Sequence, residues 1–258
     1  MPLYERIASA IVGTPLQGPA EQLRSLASLP QRWRHPELRE VLEEGRLVAQ
    51  IIERAVRRDT NCIDVGAHLG SVLARIVKRA PLGSHIAVEP VPYKARWLRR
   101  KFPSVDVYEL AVGETAGKVE FFLDAHSSAF SGLRKQGPGE ATKLQVTCSR
   151  LDEIAPADFK PGFLKIDVEG GELGAFRGAR RLLSQGRPLI LFECTKSGLD
   201  AFGLDGRELY EHLCGEAGYR IYLIKDWLVG GEPLELEEFR ASMRYPFRAF
   251  NYVAAPRG

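Results

Sequence analysis

Short apolar runs alternate with amphipathic segments along most of this chain, from residue 61 onward. The runs are rich in β-branched and other apolar side chains, and each has the length of a buried strand. They cover residues 62–65, 85–89, 105–110, 163–168 and 189–193. The segments between them place apolar residues at helical spacing, as in residues 71–80, which end at Pro81. Strands that alternate with helices predict an α/β, Rossmann-like, doubly wound fold with a mostly parallel sheet.

Further helices are predicted over residues 93–102 and 171–186, each following a strand. After the fifth run come a helical segment at 206–218, a strand at 219–224, a charged connection and a last strand at 249–255. A closing pair of strands of this kind indicates an antiparallel edge strand on the parallel sheet.

The middle of the chain interrupts this alternation. Residues 118–124 and 143–154 have the composition of two extra strands. Between them, residues 125–142 are small, polar and rich in glycine, which predicts a long loop. Loops of that length inside a compact domain are usually functional or mobile.

The first part of the chain predicts a helical N-terminal cap at residues 1–58, followed by a Rossmann-like domain at 59–258. One long amphipathic helix accounts for the apolar positions within residues 38–56. Gly18 and Pro19 are predicted to break the chain before that helix. The pattern does not say what the cap does.

Composition excludes some classes of function. With 45% hydrophobic and 27% charged residues the chain is an ordinary globular protein, and its net charge of +3 is too small to indicate nucleic acid. No apolar stretch approaches the roughly 20 residues of a membrane span, and the first residues lack the features of a signal peptide. The four cysteines form no C-x-x-C pair, which predicts reduced thiols in the cytoplasm.

The first strand leads into a glycine loop, "IDVGAHLGS", in which Asp64 precedes Gly66 and Gly70. Glycines let the chain turn tightly and let a ligand approach the backbone. A dinucleotide site would require G-x-G-x-x-G, whereas the spacing here is G-x-x-x-G behind an acid. A carboxylate there repels a pyrophosphate but suits S-adenosylmethionine, which carries an ammonium, a sulfonium and a ribose. We therefore predict that these three residues bind that cofactor.

Glu89 ends the second run, where a carboxylate can accept hydrogen bonds from the hydroxyls of a ribose. Ala111 and Val112 follow the third run and are small enough to line an adenine ring. Capping of strand ends by the acids, and plain core packing by the small residues, are the competing interpretations. His68, inside the glycine loop, is assigned to the cofactor or substrate site, with a solvent-facing histidine as the alternative. His126, in the middle loop, has the same two interpretations.

The fourth run, "LKIDVEGGE", carries charges that a buried strand would not normally hold. Alternating side chains put Lys165, Asp167 and Glu169 on one side if the strand runs that far, whereas an earlier end lets the glycine turn redirect Glu169. Ligands bind at the carboxyl ends of the strands in doubly wound sheets. We therefore predict that these acids, joined by Glu193 at the end of the fifth run, face the reactive part of the cofactor.

Methyl transfer to a hydroxyl requires a base within hydrogen-bond reach. Asp167 is the first candidate and Glu169 the second, and Glu193 completes the predicted catalytic group. Clustered carboxylates could instead hold a divalent cation that lowers the pKa of the hydroxyl. The structural alternatives are an ion pair between Lys165 and Asp167 and a helix-capping Glu172.

Seven segments of the chain resemble the FkbM-type methyltransferases, in order and spacing, over about residues 60–255. They are "IDVGAHLGS", "VEP", "LAVGETAGKVEF", "SRLDEI", "LKIDVEGGE", "LFE" and "FNYVAAP". The fifth of them, "LKIDVEGGE", is the most specific. The resemblance implies a Rossmann-like, S-adenosylmethionine-dependent O-methyltransferase that acts on hydroxyls of polyketide macrolactones or of sugars in glycolipids and polysaccharides.

The same resemblance implies roles for individual residues. The implied cofactor residues are Asp64, Gly66, Gly70 and Glu89. Asp167 and Glu169 would lie in the active site. The family loop usually carries Asn where this chain has His68, and alanine is common where it has Gly171.

The predicted function is therefore carboxylate-assisted methyl transfer to a hydroxyl of a small molecule. A non-catalytic, S-adenosylmethionine-binding regulatory or scaffold subunit is the alternative, and the retention of costly buried acids favours the enzyme. Methylation of amino groups on nucleic acid bases would usually require an N/D-P-P-Y/F motif after the fourth run, where this chain has "DVEG". Nucleic acid is accordingly not an expected partner, and no oligomeric state is indicated.

Overall fold

The strands predicted from the sequence form a seven-stranded sheet, with a separate three-stranded sheet beside it. The computed structural model describes residues 3–27, 34–35, 39–124, 131–135 and 141–257. The large sheet contains β1 (Cys62–Val65), β2 (His85–Val88), β3 (Val105–Tyr108), β7 (Phe163–Ile166), β8 (Leu189–Glu193), β9 (Tyr219–Leu223) and β10 (Asn251–Pro256). The small sheet contains β4 (Ala111–Val112), β5 (Gly117–Asp124) and β6 (Ala141–Ser149).

Helices precede, connect and flank these strands. Before the large sheet come α1 (Leu3–Ile11), α2 (Gln17–Ala27) and α3 (Arg39–Ala55). Between and after the strands come α4 (Ser71–Arg79), α5 (Pro92–Lys101), α6 (Leu151–Ile154), α7 (Glu172–Arg177), α8 (Arg180–Gly186), α9 (Lys196–Ala201), α10 (Arg207–Tyr210), α11 (Ile224–Val229) and α12 (Leu236–Ser242). A π-helical stretch, Glu211–Glu216, continues α10.

The large sheet has the strand order β3-β2-β1-β7-β8-β10-β9. β1 pairs in parallel with both β2 and β7, and β7 pairs in parallel with β8, so the winding direction reverses beside β1. β10 runs antiparallel between β8 and β9. This topology confirms the predicted Rossmann-like sheet and its antiparallel edge region. The ends of β1, β2, β7 and β8 lie together, and we call this edge the carboxyl rim.

The central strands are buried on both faces, which explains their continuous apolar sequences. On β7, Phe163 belongs to a cluster with Ile51 and Ile52 of α3. Its neighbour Leu164 points to the other face and joins Phe176 of α7. Lys165, the one charged residue of β7, therefore lies on the face covered by α3.

The predicted strand at 143–154 is wrong at its end. β6 stops at Ser149, and Leu151–Ile154 form α6. The N–H of Arg150 donates to the carboxylate of Glu153 at 3.4 Å, which closes the first turn. Leu151 and Ile154 then both turn into the core, at helical spacing.

The predicted single helix at 171–186 is two helices, α7 and α8. Gly178, between them, accepts a hydrogen bond from the N–H of Asp152 at 2.9 Å, so its carbonyl leaves the helical pattern. The charged connection between β9 and β10 is also not a simple loop, because it contains α11 and α12.

The N-terminal region is helical as predicted, but its break point is different. Gly18 and Pro19 lie in the first turn of α2, where the missing N–H of proline costs no helical hydrogen bond. Val12 packs in one cluster with Leu73 and Leu98, so the first helices cover α4 and α5. The boundary between cap and domain at residue 58 stays a prediction.

Part of the predicted loop at 125–142 lies outside the described residues. This applies to 125–130, which include His126, and to 136–140. Residues 141 and 142 begin β6. Within the parts of the chain that the structure describes, no helix has both the length and the apolar character that a membrane crossing requires.

Candidate active site

A cavity of about 310 Å³ opens at the carboxyl rim. Small-molecule sites have volumes of this order or larger. Its polar lining consists of His68, Ser71, Glu89, Lys94, Ser131, Lys165, Asp167, Glu169, Glu193 and Asn251. Its apolar lining includes Val88, Val91, Leu110, Ala111, Val112 and Leu133. The predicted acids and the glycine loop therefore share one cavity.

The glycine loop after β1 is folded tightly against the neighbouring strands. Gly66 has φ 73° and donates its N–H to the carbonyl of Val88 at 2.9 Å. A Cβ at this position would lie 1.8 Å from the backbone oxygen of Asp167, so no other residue fits. Gly70 precedes α4 and does not line the cavity, unlike Gly66. Gly66 thus forms cavity wall, and Gly70 supports the loop.

Glu89 follows β2 and is fixed by the backbone on both sides. One carboxylate oxygen accepts the N–H of His68 at 2.8 Å, and the other accepts the N–H of Val91 at 2.9 Å. Burial raises the pKa of Glu89 to about 7, although Lys94 and the two backbone hydrogen bonds act in the opposite direction. These bonds join the glycine loop to the end of β2 through one carboxylate.

Asp64 is buried below the cavity and does not line it. Burial raises its pKa, and the nearby ammonium of Lys165, 3.4 Å from Oδ1, acts against that rise. Lys165 also contacts Asp167 Oδ2 at 3.2 Å and donates to the carbonyl of Gly66 at 2.8 Å. Burial favours the neutral amine, but Asp167 and Asp64 outweigh it and raise the pKa of Lys165. The ion pair considered from the sequence is thus present, and Asp64 reaches the site only through Lys165.

Asp167, Glu169 and Glu193 lie close together at the rim, with one carboxylate oxygen from each within 4.8 Å of the others. β7 ends at Ile166, so the glycine turn redirects Glu169, whose φ is 57°. Burial, then the negative charge of Asp167, raises the pKa of both Glu169 and Glu193 well above the usual range. The side chain of Asp167 is 30% exposed, more than that of Lys165 beside it, and so is open to a ligand in the cavity.

Glu172 supports the turn between β7 and α7. Its Oε1 accepts the N–H groups of Val168 and Gly170, both at 3.1 Å. It is 1% exposed, and burial raises its pKa to about 7. This bracing role agrees with the structural interpretation of Glu172.

The same three carboxylates, Asp167, Glu169 and Glu193, could hold a divalent cation. Mg²⁺ and Ca²⁺ prefer oxygen ligands, and three carboxylates within one coordination sphere suit such an ion. Crowded carboxyl groups can equally be kept together by protons, as their raised pKa values indicate. The arrangement fits both interpretations.

His68 contacts the N-terminal helix. Its side chain is 40% exposed, and Nε2 lies 3.8 Å from Glu5 Oε1 of α1. Glu5 is fully buried, accepts a hydrogen bond from Tyr93 Oη at 2.9 Å and lies 3.8 Å from Nζ of Lys94. α1 therefore places a buried carboxylate behind two residues that line the cavity, His68 and Lys94.

The sequence matches the profile of the methyltransferase FkbM domain over residues 64–221, more than half of the 258 residues. The chain belongs to the FkbM methyltransferase family. This confirms the resemblance predicted from the motifs, and with it the class of S-adenosylmethionine-dependent methyl transfer. No curated protein matches the chain.

Solved structures that resemble this FkbM methyltransferase are remote. Methyltransferase FkbM from Methylobacillus flagellatus KT is 19% identical, with a TM-score of 0.49, over 77% of this chain and 44% of that one. This chain thus spans less than half the length of that protein. The O-methyltransferase from Bacillus cereus, in complex with SAH, is 13% identical, with a TM-score of 0.42, over 69% and 72% of the two chains. At such distances the likeness bears on neither reaction nor substrate.

The residues of this FkbM methyltransferase fit its cofactor. Val88, Ala111 and Val112 offer an apolar slot beside Glu89, whose carboxylate has lone pairs left for hydroxyl donors. Gly66 lets a ligand approach the backbone, and Asp167 lies next to it. An adenosine with a cationic sulfur requires this combination of apolar wall, hydroxyl acceptor and negative charge.

Four residues at or beside the cavity of the FkbM methyltransferase did not emerge from the motifs. They are Glu5, Glu44, Lys94 and Asn251. A charged residue on a buried helix face was the available signal for Lys94, which shares that face of α5 with Ala95 and Leu98. Asn251 lies in the segment "FNYVAAP", but nothing local points to its contact with Glu44, because that contact joins residues 207 positions apart.

Proposed function

We propose that this chain transfers a methyl group from S-adenosylmethionine to a hydroxyl of a small molecule, with Asp167 as the base. One observation carries the proposal: Asp167 lies in the same cavity as Glu89 and the glycine loop, next to a buried lysine. A base there is within reach of an acceptor hydroxyl that is held beside the cofactor.

The cofactor lies along the glycine loop in this proposal. Glu89 accepts the ribose hydroxyls, and Ala111 with Val112 contacts the adenine. S-adenosylmethionine supplies an electrophilic methyl group. His68 contributes its backbone, since its N–H already orients Glu89 and its side chain turns to Glu5.

Asp167 accepts the proton of the acceptor hydroxyl as the oxygen–carbon bond forms and the sulfur–carbon bond breaks. Lys165 holds Asp167 in place through the 3.2 Å contact, while Asp64 contacts the same ammonium from below. Glu169 and Glu193, which hold their protons more strongly, donate hydrogen bonds to the acceptor. Together they orient the hydroxyl and exclude water from the methyl group.

A divalent cation on the three carboxylates is the alternative route to an activated hydroxyl. The two routes differ in what a chelator does. If the three carboxyl groups share protons and hold no metal, we expect the methyl-transfer rate to be unchanged after treatment with EDTA, both with and without added Mg²⁺. A rate that falls with EDTA and returns with Mg²⁺ would assign the cluster to a cation.

The test of the proposed function is a transfer assay with methyl-labelled S-adenosylmethionine. The acceptors are methyl glycosides of hexoses and deoxyhexoses, and macrolactones with free hydroxyls. Calorimetric titration with the cofactor and with S-adenosylhomocysteine measures binding separately. Label in a methyl ether supports the proposal, whereas binding with no transfer to any acceptor would favour the non-catalytic subunit.

The expected partners are small molecules rather than nucleic acid, in line with the net charge of +3. All four cysteines, Cys62, Cys148, Cys194 and Cys214, are buried and unpaired. Free thiols of this kind suit a reducing compartment, so we propose a cytoplasmic location.

A further inference from the structure

Helix α3 holds the segment that leads into β10 through one buried carboxylate. Glu44, 7% exposed, accepts the N–H of Phe250 at 2.7 Å and the N–H of Asn251 at 3.2 Å on Oε1. Its Oε2 accepts the side-chain amide Nδ2 of Asn251 at 2.8 Å. Three hydrogen bonds to one carboxylate make this a well-fixed contact.

Asn251 is at the carboxyl rim, on the side of the cavity away from the cofactor loop. It is paired with Glu193 across β10 and β8 and lines the cavity with it. Val48, one helical turn after Glu44, lines the same wall. Asn251, which Glu44 holds, therefore lies in the part of the cavity that the acceptor would occupy in the proposed function.

The contact with Glu44 determines which way the amide of Asn251 points. A carboxylate only accepts hydrogen bonds, so the NH₂ group faces Glu44 and the carbonyl oxygen Oδ1 faces away. Among the residues that the structure describes, none donates a hydrogen bond to this oxygen. Oδ1 is thus the polar atom that Asn251 offers to the cavity, and its partner must be a donor.

We infer that Asn251 binds the acceptor, through a hydrogen bond from a second hydroxyl or an N–H group of that molecule to Oδ1. Glu44 is a positioning residue that acts through Asn251. Neighbouring strands lie about 4.8 Å apart, and β8 separates β10 from β7, so the second donor is several Å from the hydroxyl that Asp167 deprotonates. The inference rests on the proposed methyl transfer and specifies its acceptor as a molecule with at least two donor groups.

An exchange of amide and carboxylate tests the orientation directly. In Glu44→Gln, the carbonyl of the new side chain still accepts the backbone N–H groups of Phe250 and Asn251. Its NH₂ group replaces Oε2, so the amide of Asn251 has to flip and present a donor to the cavity. Asn251→Asp alone sets two carboxylates against each other. The double variant, Glu44→Gln with Asn251→Asp, restores a complementary pair with an oxygen toward the cavity.

The measured quantity is KM for the methyl glycoside or lactone that the wild-type chain methylates fastest. We expect KM to rise about 5- to 150-fold in each single variant, since an unmatched polar group faces the acceptor. In the double variant, KM should return most of the way to the wild-type value. The dissociation constant of S-adenosylhomocysteine and the melting temperature of Glu44→Gln should stay near the wild-type values while its KM rises, because the new carbonyl keeps both backbone hydrogen bonds. A purely structural role would lower the melting temperature together with any change in KM.

The chain contains two asparagines, and the other one provides a matched control. Asn61 lies just before β1, at the amino ends of the parallel strands and so opposite the carboxyl rim. Its Oδ1 accepts the N–H of Ser84 at 2.9 Å. With side-chain ¹⁵N-labelled asparagine, the protein gives two NH₂ signals by NMR. We expect the Glu44→Gln substitution and the addition of acceptor to shift the Asn251 signal alone. Asn61→Ala should leave the acceptor KM unchanged.

The possible results separate this inference from the proposed function. The inference is overturned, and methyl transfer is left intact, if the wild-type chain turns over and both single variants have an unchanged KM. The same conclusion follows if the NH₂ signal of Asn251 does not shift when acceptor is added. A raised KM in both single variants, with a KM near the wild-type value in the double variant, supports the inference. Absence of transfer by the wild-type chain to every acceptor overturns the proposed function, and the inference with it.

Discussion

The two halves of the carboxyl rim are built in different ways. In the half proposed to bind the cofactor, which we call the cofactor half, the carboxylate of Glu89 is bound by backbone N–H groups of the turns that follow β1 and β2, those of His68 and Val91. In the half proposed to bind the acceptor, which we call the acceptor half, the carboxyl groups of Asp167 and Glu193 come from the ends of different strands and crowd against each other. The first half is a set of local turns, and the second is an assembly of separate strands and helices.

This difference follows from what each half has to do. A cofactor that is the same in every turnover is best bound by rigid backbone groups, which need no rearrangement. Proton removal from an acceptor requires side chains whose protonation can change, and burial, followed by the charge of neighbouring acids, raises the pKa values of Glu169 and Glu193. The acceptor half therefore sets carboxyl groups against one another, whereas the carboxylate of Glu89 is bound by backbone N–H groups.

The largest effect that this contrast predicts is on Asp167. We expect Asp167→Asn to lower the single-turnover rate by about 10²- to 10⁴-fold, because the base is lost while the shape is kept. The dissociation constant of S-adenosylhomocysteine should change little, since Glu89 and the glycine loop remain. Rapid-quench kinetics and calorimetry measure the two quantities.

The matched control for Asp167→Asn is Asp106→Asn, which changes an exposed acid on β3. It should alter neither the rate nor the dissociation constant. An unchanged rate in Asp167→Asn would show that this residue takes no part in the mechanism. A loss of affinity for S-adenosylhomocysteine as large as the loss of rate would show that the two halves of the rim do not act separately.

The next effect concerns Glu172 and the stability of the protein. Its pKa rises from 4.5 to about 7 on folding, so between these values the folded state binds more protons than the unfolded state. The free energy of unfolding therefore falls as pH rises through this window, by about 3 kcal/mol from this group. Glu172→Gln keeps an oxygen for Val168 and Gly170 but does not titrate.

Urea unfolding at pH 4.5 and at pH 7.5 tests this effect in the absence of cofactor. Wild-type protein should lose more stability than Glu172→Gln between the two pH values, because the other buried acids titrate in both proteins and cancel. Equal losses in the two proteins would mean that Glu172 is already ionised in the folded state.

The smallest of the three effects is on cofactor affinity. Glu89→Ala should weaken the binding of S-adenosylmethionine and S-adenosylhomocysteine by about 1–3 kcal/mol, since it removes the acceptor for the ribose and frees two backbone N–H groups. The rate at saturating cofactor should change little. Calorimetry measures the affinity, and Glu109→Ala, an exposed acid after β3, is the control. Unchanged affinity in Glu89→Ala would limit its role to fixing the loop.

The sequence signals for the half proposed to bind the cofactor are local. Asp64, Gly66 and Glu89 stand at strand ends that the apolar pattern already located, and the structure brings the loop and Glu89 together. The sequence alone could not predict that Lys165 separates Asp64 from the cavity. That depends on the packing of two strands rather than on either one.

The acceptor half was predictable only in part. Asp167 and Glu193 follow from strand ends, but the redirection of Glu169 depends on where β7 stops, which an apolar pattern does not fix. The contact between Glu44 and Asn251 depends on α3 covering the sheet, and no motif encodes it. Prediction thus fails where a contact joins elements that are far apart in the chain.

The interior position of β10 has a consequence for synthesis on the ribosome. Glu193 ends β8, and its neighbour Asn251 emerges 58 residues later. At usual elongation rates β8 waits roughly 3 to 12 s with an open edge, which is prone to pair with strands of other nascent chains. β10 thus both completes the pocket and covers the open edge of β8. The yield of soluble protein and the placement of Asn251 in the cavity therefore depend on the same late event, the pairing of β10 with β8.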